Sequence, residues 1–338
     1  MKNIYKLAIV GGHGLVATTL LKLLCNSFLK DSFITVYGSG VNLEPIFVDE
    51  RSFNIVKLCE ENIEFYDVVF MCTSNEISKI YSPKFIEKGS KIIDNASYFR
   101  NDKNVPLVIA EVNPYDLLNN SNIYCNPNCV VIMLALALKP IHDVYSLEKA
   151  VISTYQSVSG FGISGLNQLN KEELGLDTNK VLPSLSAVKK QIYDNVLPIV
   201  DEVDLVTGIT KEEEKITNEL KKILNLSNVD ILSTCVRVPT RCGHGASLYL
   251  TFKDKIDIKL IEKLLIETNY VTYYGEFDYP SLLDVKGINN IAVGRLRKDF
   301  DCDYSILMFV TSDNLLRGAA LNSFNIFMKL REFNIIWK

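Results

Sequence analysis

The sequence lacks several features that mark large classes of proteins. No block of basic residues stands among its 338 residues, and its formal net charge is −4, so neither nucleic acid nor a membrane surface is an expected partner. The longest apolar run, Cys129 to Leu138, is far shorter than the roughly 18 residues that span a bilayer. The amino-terminal stretch MKNIYKLAIVGGHGLV is interrupted by glycines and a histidine, which is not typical of a secretion signal. We therefore expect a cytoplasmic protein.

Paired cysteines and histidine clusters are also missing. The eight cysteines contain no CxxC pair, and there are only three histidines. A disulfide framework is not expected from such scattered cysteines, which suit a reducing compartment. A zinc site is not expected either, because no second cysteine pair stands at ligand spacing. We predict no bound metal.

The first part of the chain alternates between predicted strands and helices. The apolar run Lys6–Val10 ends at GGHG, and LVATTLLKLLCNSFL then has helical spacing. A helix is predicted over residues 78–89, and the further predicted strands are Ser32–Ser39, Tyr66–Cys72, Ser90–Asn95 and Asn104–Asn113. This alternation predicts a parallel, doubly wound sheet.

The pattern changes after Cys129. Strands rich in β-branched and aromatic residues are predicted at Lys149–Gly160, Asn228–Thr240, Ala246–Phe252 and Tyr304–Ser312. Helices are predicted at Lys211–Leu224 and, at the end of the chain, from Asp313. Strands with fewer, longer helices between them indicate an α+β domain on a mostly antiparallel or mixed sheet.

The first glycine turn is a candidate dinucleotide site. GGHGLVA, Gly11–Ala17, follows a strand and opens a helix, so glycines could approach a pyrophosphate at a helix N-terminus. A plain turn is the alternative. The expected contacts are Gly11, Gly12, His13, Gly14, Leu15 and Val16. After the second strand, VYGSGVN offers neither the acid typical of an NAD site nor the basic residue typical of an NADP site.

The segment CNPNCVVIM leaves two interpretations of its second cysteine open. Cys129 could be an ordinary core cysteine. Pro127 and the asparagines favour a turn, however, so Cys129 would stand in the first turn of the helix CVVIMLALAL. The positive end of a helix favours a reactive thiolate, and amides there, with the Asn128 side chain, could face an oxyanion.

A reactive thiolate needs an acid–base partner, and His244 is the best placed of the three histidines. It lies in VRVPTRCGHGAS, at a predicted strand-to-strand turn, near Arg237 and Arg241. An isolated histidine is more often structural, but arginines beside it favour an anion site. Spacing alone leaves this open.

Seven segments of the chain follow one another in the order seen in one enzyme family: GGHGLV, DNASYFR, CNPNCVV, TYQSVSGFG, EEEKITNELKKIL, CVRVPTRCGHGAS and DNLLRGAALN. On these motifs the chain resembles the aspartate-semialdehyde dehydrogenases over essentially its whole length. The resemblance implies an α/β protein with a Rossmann-type dinucleotide-binding domain, residues 1–130 plus 314–338, and an α+β catalytic and dimerisation domain, residues 131–313.

The resemblance also implies a role for each matching position. Cys129 matches the nucleophile, His244 the acid–base residue and Gln156 the glutamine that orients substrate or thioester, with Asn128 beside the nucleophile. Substrate contacts are expected from Arg237 to the carboxylate, Glu212 to the amino group, and Arg100 and Lys215 to the phosphate. Further cofactor contacts are expected at Gly38, Ser39, Ser159, Gly160 and Asn314.

The implied reaction is NADP-dependent reduction of β-aspartyl phosphate to aspartate semialdehyde and phosphate, in biosynthesis of lysine and diaminopimelate, threonine and methionine. NAD is not excluded, because Gly38 stands where many relatives have arginine, and CTSNEIS (Cys72–Ser78) also departs from their pattern. A homodimer, or a homotetramer of paired dimers, is expected. The alternatives are another acyl-phosphate reductase, such as one for N-acetylglutamyl phosphate, and a non-catalytic dinucleotide-binding protein.

Overall fold

The structure is a computed structural model that describes residues 4–176, 180–182, 189–275 and 278–336. Contacts divide the chain into two compact units, Met1–Asn128 with Ala319–Lys338, and Cys129–Gly318. Within the described ranges no helix combines the length and apolarity needed to cross a membrane.

The first unit is built on a parallel sheet. In chain order it contains β1 (Lys6–Val10), α1 (Leu15–Cys25), β2 (Phe33–Gly38), β3 (Ile46–Val48), β4 (Arg51–Phe53), β5 (Ile55–Lys57), β6 (Val68–Met71), α2 (Asn75–Glu87), β7 (Lys91–Asp94) and β8 (Ile123–Cys125). Six strands lie in the order β5-β2-β1-β6-β7-β8, all parallel, and β3 pairs with β4 apart from them. The doubly wound sheet predicted from the sequence is confirmed, and its order reverses beside β1, where such folds bind ligands.

The prediction of a strand at Asn104–Asn113 is wrong. Only Leu107 makes an isolated bridge, to Cys125. The Asn113 side chain accepts from the N–H of Ile109 at 2.9 Å and donates to the carbonyl of Leu107 at 2.9 Å, so these backbone groups are taken up locally. Pro106 has no N–H to offer a ladder. The edge of the sheet is instead the unpredicted β8.

The second unit has a mixed sheet. Its elements are α3 (Cys129–His142), β9 (Leu147–Gln156), α4 (Gly162–Glu173), α5 (Lys211–Leu224), β10 (Asp230–Arg237), β11 (His244–Phe252), α6 (Ile258–Glu267), β12 (Val271–Tyr273), β13 (Ile291–Lys298) and β14 (Ser305–Ser312). The strand order is β10-β9-β11-β14-β13-β12, with parallel pairs at each end. The middle pairs are antiparallel, so the predicted mixed sheet is confirmed. Helices α3, α5 and α6 pack on its strands.

Two helices of this unit follow directly from local sequence. In α3 every residue from Val130 to Leu138 is buried, which explains why its apolar run has no polar face. Helix α5 begins with a capping box, in which the Glu213 N–H donates to Thr210 Oγ1 at 3.2 Å and the Thr210 N–H donates to Glu213 Oε2 at 2.8 Å. Asn225 ends α5 in the left-handed conformation. The predicted bounds of α5, Lys211–Leu224, are confirmed.

The chain then returns to the first unit as helix α7 (Leu321–Glu332), which carries a buried amide junction. Asn322 donates to the carbonyl of Val108 at 2.9 Å and to Asn126 Oδ1 at 2.5 Å, and it accepts from the N–H of Ala110 at 3.1 Å. Asn126 in turn donates to Asn95 Oδ1 at 2.7 Å. This junction fixes the segment that leads to residue 128.

We expect Asn322→Ala to lower the free energy of unfolding by about 3 kcal/mol, because three buried polar groups lose their partner at once. Asn325→Ala on the same helix is the matched control. Asn325 is only partly buried and makes a single bond, to Glu111 Oε1 at 2.9 Å, so a loss below about 1 kcal/mol is expected. Urea unfolding followed by circular dichroism measures both, and equal losses would contradict the junction's importance.

Candidate functional site

The glycine turn after β1 adopts a conformation that requires glycine. Gly11 has φ +97°, and a Cβ there would lie 2.2 Å from the carbonyl oxygen of Cys72. The N–H groups of Gly11 and Gly12 donate to the carbonyl of Tyr37 at 2.9 and 3.1 Å, which holds the turn against the end of β2. A Cβ on Gly12 would lie 2.3 Å from Val36 Cγ1. The turn is therefore specified by close approach on both sides.

The start of α1 fits the pyrophosphate of a dinucleotide. Gly14 caps the helix without a side-chain hydrogen bond, and Leu15 and Val16 are its first residues. The N–H groups of an uncapped first turn can bind an anion. His13 stands within the turn, with Nε2 3.2 Å from the carbonyl oxygen of Glu44. The bound dinucleotide would be held by the first-turn amides of α1, with the glycines allowing its close approach.

Three other predicted ligands belong to the first unit. Gly38 ends β2 and is followed by exposed Ser39. Arg100 is buried, and its Nη2 donates to the carbonyl of Asn95 at 2.7 Å, directly after β7. Its position at the carboxyl end of a parallel strand is typical of ligand-binding residues in such sheets.

In the second unit, three predicted residues form a row across adjacent strands. Arg237 of β10 pairs in register with Gln156 of β9, and Gln156 pairs in register with His244 of β11. Since alternate residues of a strand share a face, register partners project to the same side. All three side chains are buried, with 5%, 1% and 0% of their surface exposed. The sequence predicted that His244 lies in a turn between strands. This prediction is wrong, because His244 is the first residue of β11.

A chain of polar contacts runs from Gln156 to α5. Its Nε2 donates to Glu212 Oε1 at 3.0 Å, and its Oε1 accepts from Thr154 Oγ1 at 3.0 Å. Lys215 Nζ lies 3.5 Å from Glu212 Oε2, as expected for residues three apart on a helix. Because the neighbouring Glu213 forms the capping box, Glu212 is left to face inward, where it is 6% exposed.

Asp201 is a member of this chain of contacts that the sequence did not reveal. Its Oδ2 lies 2.6 Å from Lys215 Nζ. Burial alone would raise the pKa of Asp201, but the hydrogen bond and charge of Lys215 outweigh it and the pKa is lowered. Asp201 therefore holds Lys215, one of the predicted phosphate ligands, in a defined position. Only the tertiary structure brings it near α5.

Arg237 is a buried cation at one end of the row. Its Nη1 donates to the carbonyl of Ser157 at 2.7 Å. Burial lowers its pKa, while the charges of Glu212 and Cys129 act in the opposite direction. Cys129 therefore lies within electrostatic range of the guanidinium. An arginine keeps its charge under such burial because its ordinary pKa is so high.

Cys129 is the first residue of α3 and is partly exposed, unlike Cys125, which is fully buried. The first turn of a helix favours a negative charge, and hence a thiolate. Gly318 lies in a π-helical turn, Leu316–Ala320, and a Cβ there would lie 3.0 Å from Cys129 Cβ. The sequence did not single out Gly318, whose missing side chain leaves room for the cysteine. Asn128, just before it, is buried.

The two cysteines of the motif differ in burial. Cys125 packs in the core, whereas Cys129 is partly exposed at the start of α3. None of the eight cysteines, all of which lie in the described ranges, forms a disulfide. Within the described ranges, no group of histidine, cysteine and acidic side chains is arranged to hold a metal ion.

The protonation state of His244 is set by a backbone contact. The N–H of Ser157 donates to His244 Nδ1 at 3.0 Å, so Nδ1 is the acceptor and the ring proton is on Nε2. Burial, and then the charge of Arg237, lower the pKa of His244 to about 3. The ring is therefore neutral near neutral pH. Among the described residues, Nε2 has no hydrogen-bond partner although it is buried.

Gly160 borders the space at this free donor. A Cβ on Gly160 would lie 2.9 Å from Arg237 Nη1 and 3.2 Å from His244 Nε2. Asn314 fixes the surrounding loops, because its Oδ1 accepts from the Gly243 N–H at 3.0 Å and its Nδ2 donates to Ser159 Oγ at 3.0 Å. The arrangement can hold a small anionic or polar group beside Arg237 and the Nε2 donor.

Comparisons with known proteins agree with this fold. Two family models match the chain: "Semialdehyde dehydrogenase, NAD binding domain" over residues 6–120 and "Semialdehyde dehydrogenase, dimerisation domain" over residues 138–317. The chain thus has the fold of the semialdehyde dehydrogenases.

Individual relatives narrow the family. Aspartate-semialdehyde dehydrogenase of Bacillus subtilis is 34% identical over 340 residues, covering 97% of this chain and 98% of the relative, and that of Rickettsia conorii is 35% identical over 337 residues, covering 96% and 97%. The crystal structure of aspartate semialdehyde dehydrogenase II from Vibrio cholerae superposes on this chain with a TM-score of 0.89 at 30% identity. The superposition covers 97% of this chain and 98% of the Vibrio chain. A second structure of the Vibrio enzyme is complexed with ASA. The chain belongs to the aspartate-semialdehyde dehydrogenase family.

We expect His244 to stay in its neutral Nε2–H form from about pH 8 to about pH 5, where an ordinary histidine would titrate. Nitrogen-15 spectra of histidine-labelled protein measure this, because only three rings contribute. His244→Asn removes one signal and assigns it, while an amide oxygen can replace Nδ1 as the acceptor.

The sign of the stability effect follows from the same lowered pKa. Since the unfolded ring binds a proton below about pH 6.5 and the folded ring does not, the contribution of His244 to stability is present above that pH. It is lost as the pH falls toward 3. A ring that titrates near pH 6.5, or that carries its proton on Nδ1, would contradict the assignment.

Proposed function

We propose that the chain reduces β-aspartyl phosphate to aspartate semialdehyde and phosphate, with Cys129 as the nucleophile. The observation that carries the proposal is the in-register row of Arg237, Gln156 and His244, in the same unit as Cys129 at the start of α3. The names of the relatives, and the ASA-bound Vibrio structure, support the same substrate.

The polar groups of this chain complement those of the substrate. Arg237 offers a buried guanidinium to the carboxylate, and Glu212 a buried carboxylate to the ammonium. Arg100 and Lys215 offer cations to the phosphate. A substrate that lacks one of these groups would make one matched charge contact fewer.

In the first step, the Cys129 thiolate attacks the acyl carbon, and the carbon–oxygen bond to phosphate breaks. Phosphate leaves with the electron pair, toward Arg100 and Lys215. Asp201 keeps Lys215 charged and oriented during this step. The product on the enzyme is a thioester of Cys129, which divides a difficult reduction into two easier reactions.

When bound, the reduced nicotinamide supplies the hydride that reduces this thioester. His244 donates a hydrogen bond from Nε2–H to the oxygen on which negative charge develops. The carbonyl then re-forms as the carbon–sulfur electron pair returns to Cys129, so the aldehyde leaves and the thiolate is regenerated. The backbone contact from Ser157 keeps Nε2 protonated throughout.

The proposed cofactor is NADP, with NAD as the alternative. Residues 38–42, GSGVN, contain no carboxylate that would bind a free 2′-hydroxyl. The glycine turn suits the pyrophosphate of either dinucleotide.

We further propose that the protein forms a homodimer through the second unit. We also propose that it acts in biosynthesis of lysine and diaminopimelate, threonine and methionine. The match to a dimerisation domain supports the first of these. The sheet also exposes apolar side chains on the face opposite the row, with Val151 39% and Leu232 54% exposed. The scattered cysteines, none of which forms a disulfide in the described ranges, favour a reducing, cytoplasmic location.

A reductase for N-acetylglutamyl phosphate would use the same thioester chemistry, and a non-catalytic dinucleotide-binding protein would need none of it. Glu212 argues against the first, because an acylated nitrogen carries no positive charge to meet a buried carboxylate. The aligned Arg237, Gln156 and His244 argue against the second, because burying polar groups together is costly for a protein that does not use them.

We expect Cys129→Ala to lower kcat by at least ~10³-fold, since the covalent route is lost. The measurement is phosphate-dependent nicotinamide reduction with aspartate semialdehyde, with intact-mass detection of an acyl adduct in the wild type. Cys302→Ser, at a partly exposed cysteine, should keep full activity and the adduct. Full activity of Cys129→Ala would overturn the mechanism.

Glu212→Gln tests the substrate class. The substitution keeps an acceptor for Gln156 but removes the charge, so we expect KM for aspartate semialdehyde to rise roughly 10–100-fold with a smaller change in kcat. Glu214→Gln, at an exposed position of the same helix, is the control. Wild-type preference for N-acetylglutamate semialdehyde would favour the alternative reductase.

A further inference from the structure

The end of β2 leaves no room for the basic residue that usually follows this strand in NADP-binding folds. Gly38 ends β2, and a Cβ there would lie 2.7 Å from Ile55 Cγ2. A Cβ at this position would press on the Ile55 side chain of β5, which disfavours a larger residue there. A cation for the adenosine ribose would then come from another element.

Strand β5 brings such a cation to the same edge. It runs parallel to β2, and Lys57, its last residue, pairs in register with Gly38. The carboxyl ends of parallel strands meet at one edge of the sheet, which is where dinucleotides bind. Lys57 thus stands one strand away from the position at which the ribose is usually recognised.

The side chain of Lys57 lies along the loop that follows β2. A Cβ on Gly40 would lie 2.9 Å from Lys57 Cγ and 3.1 Å from its Cδ. Gly40 has φ +84°, which favours glycine, and its missing side chain makes space for the lysine stem. The aliphatic part is thereby supported against the loop while the residue remains exposed.

The charge of Lys57 is available. In the described part of the chain it forms no salt bridge. Glu60 is paired with Lys84. The pKa of Glu61 is lowered first by hydrogen bonds within its own turn, with the charge of Lys57 the last of the causes. The lysine can therefore accept an anion without breaking a contact.

A hydroxyl and the phosphate-binding turn lie at the carboxyl end of β2, the strand with which β5 pairs. Ser39 Oγ accepts from the Val41 N–H at 3.4 Å, which leaves the hydroxyl proton to donate. Gly11 and Gly12 are bonded to the carbonyl of Tyr37, the residue before Gly38. The pyrophosphate turn and the edge that carries Lys57 are thus joined by direct contacts within one unit.

We propose that Lys57, with the Ser39 hydroxyl, binds the 2′-phosphate of NADP and sets the cofactor preference of this chain. Lys57 takes the role that an arginine after β2 has in many dinucleotide sites, but from the neighbouring strand. The inference rests on the proposed dinucleotide dependence. A lysine acts as a point charge rather than a bidentate fork, so the preference it gives is moderate.

Binding of adenosine nucleotides to the full chain tests this without turnover. Isothermal titration calorimetry compares adenosine 2′,5′-bisphosphate with adenosine 5′-monophosphate, and NADP with NAD. In the wild type we expect the 2′-phosphorylated member of each pair to bind about 10-fold more tightly or better. Lys57→Gln should weaken only those members, by roughly 10-fold, and Lys57→Glu should invert the preference.

Lys88→Gln is the matched control, because Lys88 is exposed at the end of α2, next to the amino-terminal edge of the same sheet. Unchanged binding of the 2′-phosphorylated ligands to Lys57→Gln would overturn the proposal, and so would equal weakening of all four ligands or the absence of nucleotide binding. Lys57-dependent binding without turnover of aspartate semialdehyde would keep this inference and refute the proposed function. Turnover of aspartate semialdehyde, together with unchanged binding of the 2′-phosphorylated ligands to Lys57→Gln, would keep the proposed function and overturn this inference.

Discussion

The register of three neighbouring strands is the constraint on which the catalytic unit depends. Because β9 pairs with β10 on one side and β11 on the other, Arg237, Gln156 and His244 fall opposite one another and project to one face. A slip of one residue in either pairing would turn one side chain to the other face. Backbone hydrogen bonds of the sheet thus set the positions of groups that come from residues 156, 237 and 244.

The buried charges beside this row are tolerable because each has a partner. Glu212 accepts from Gln156 and lies near Lys215, Lys215 is held by Asp201, and Arg237 donates to a backbone carbonyl. Burying such groups singly would cost several kcal/mol each. The same arrangement places Arg237 and the Nε2 proton of His244 next to Gly160, a residue that is exposed to solvent.

Glycines shape the dinucleotide-binding unit, because close contacts form where they have no side chain. Gly11 and Gly12 permit close backbone contacts, Gly38 makes room for Ile55, and Gly40 makes room for the stem of Lys57. Each glycine gives up conformational freedom on folding, a cost of roughly 0.5–1 kcal/mol relative to alanine. The gain is a surface on which backbone amides and one lysine can approach a phosphorylated ligand.

The sequence by itself determined the features that depend on neighbours along the chain. These include the glycine turn after β1, the capping box of α5, the apolar helix that starts at Cys129, and the motifs that identify the family. It did not reveal the bonds of the Asn113 side chain that replace a strand at 104–113. It also could not give contacts between distant residues, such as the ion pair of Asp201 with Lys215 and the hydrogen bond from the Ser157 amide that fixes the His244 proton. It also missed β5, a three-residue strand whose register places Lys57 beside Gly38. Turns and caps are encoded within a few residues, whereas strand register and buried polar partners are settled only when the whole sheet is assembled.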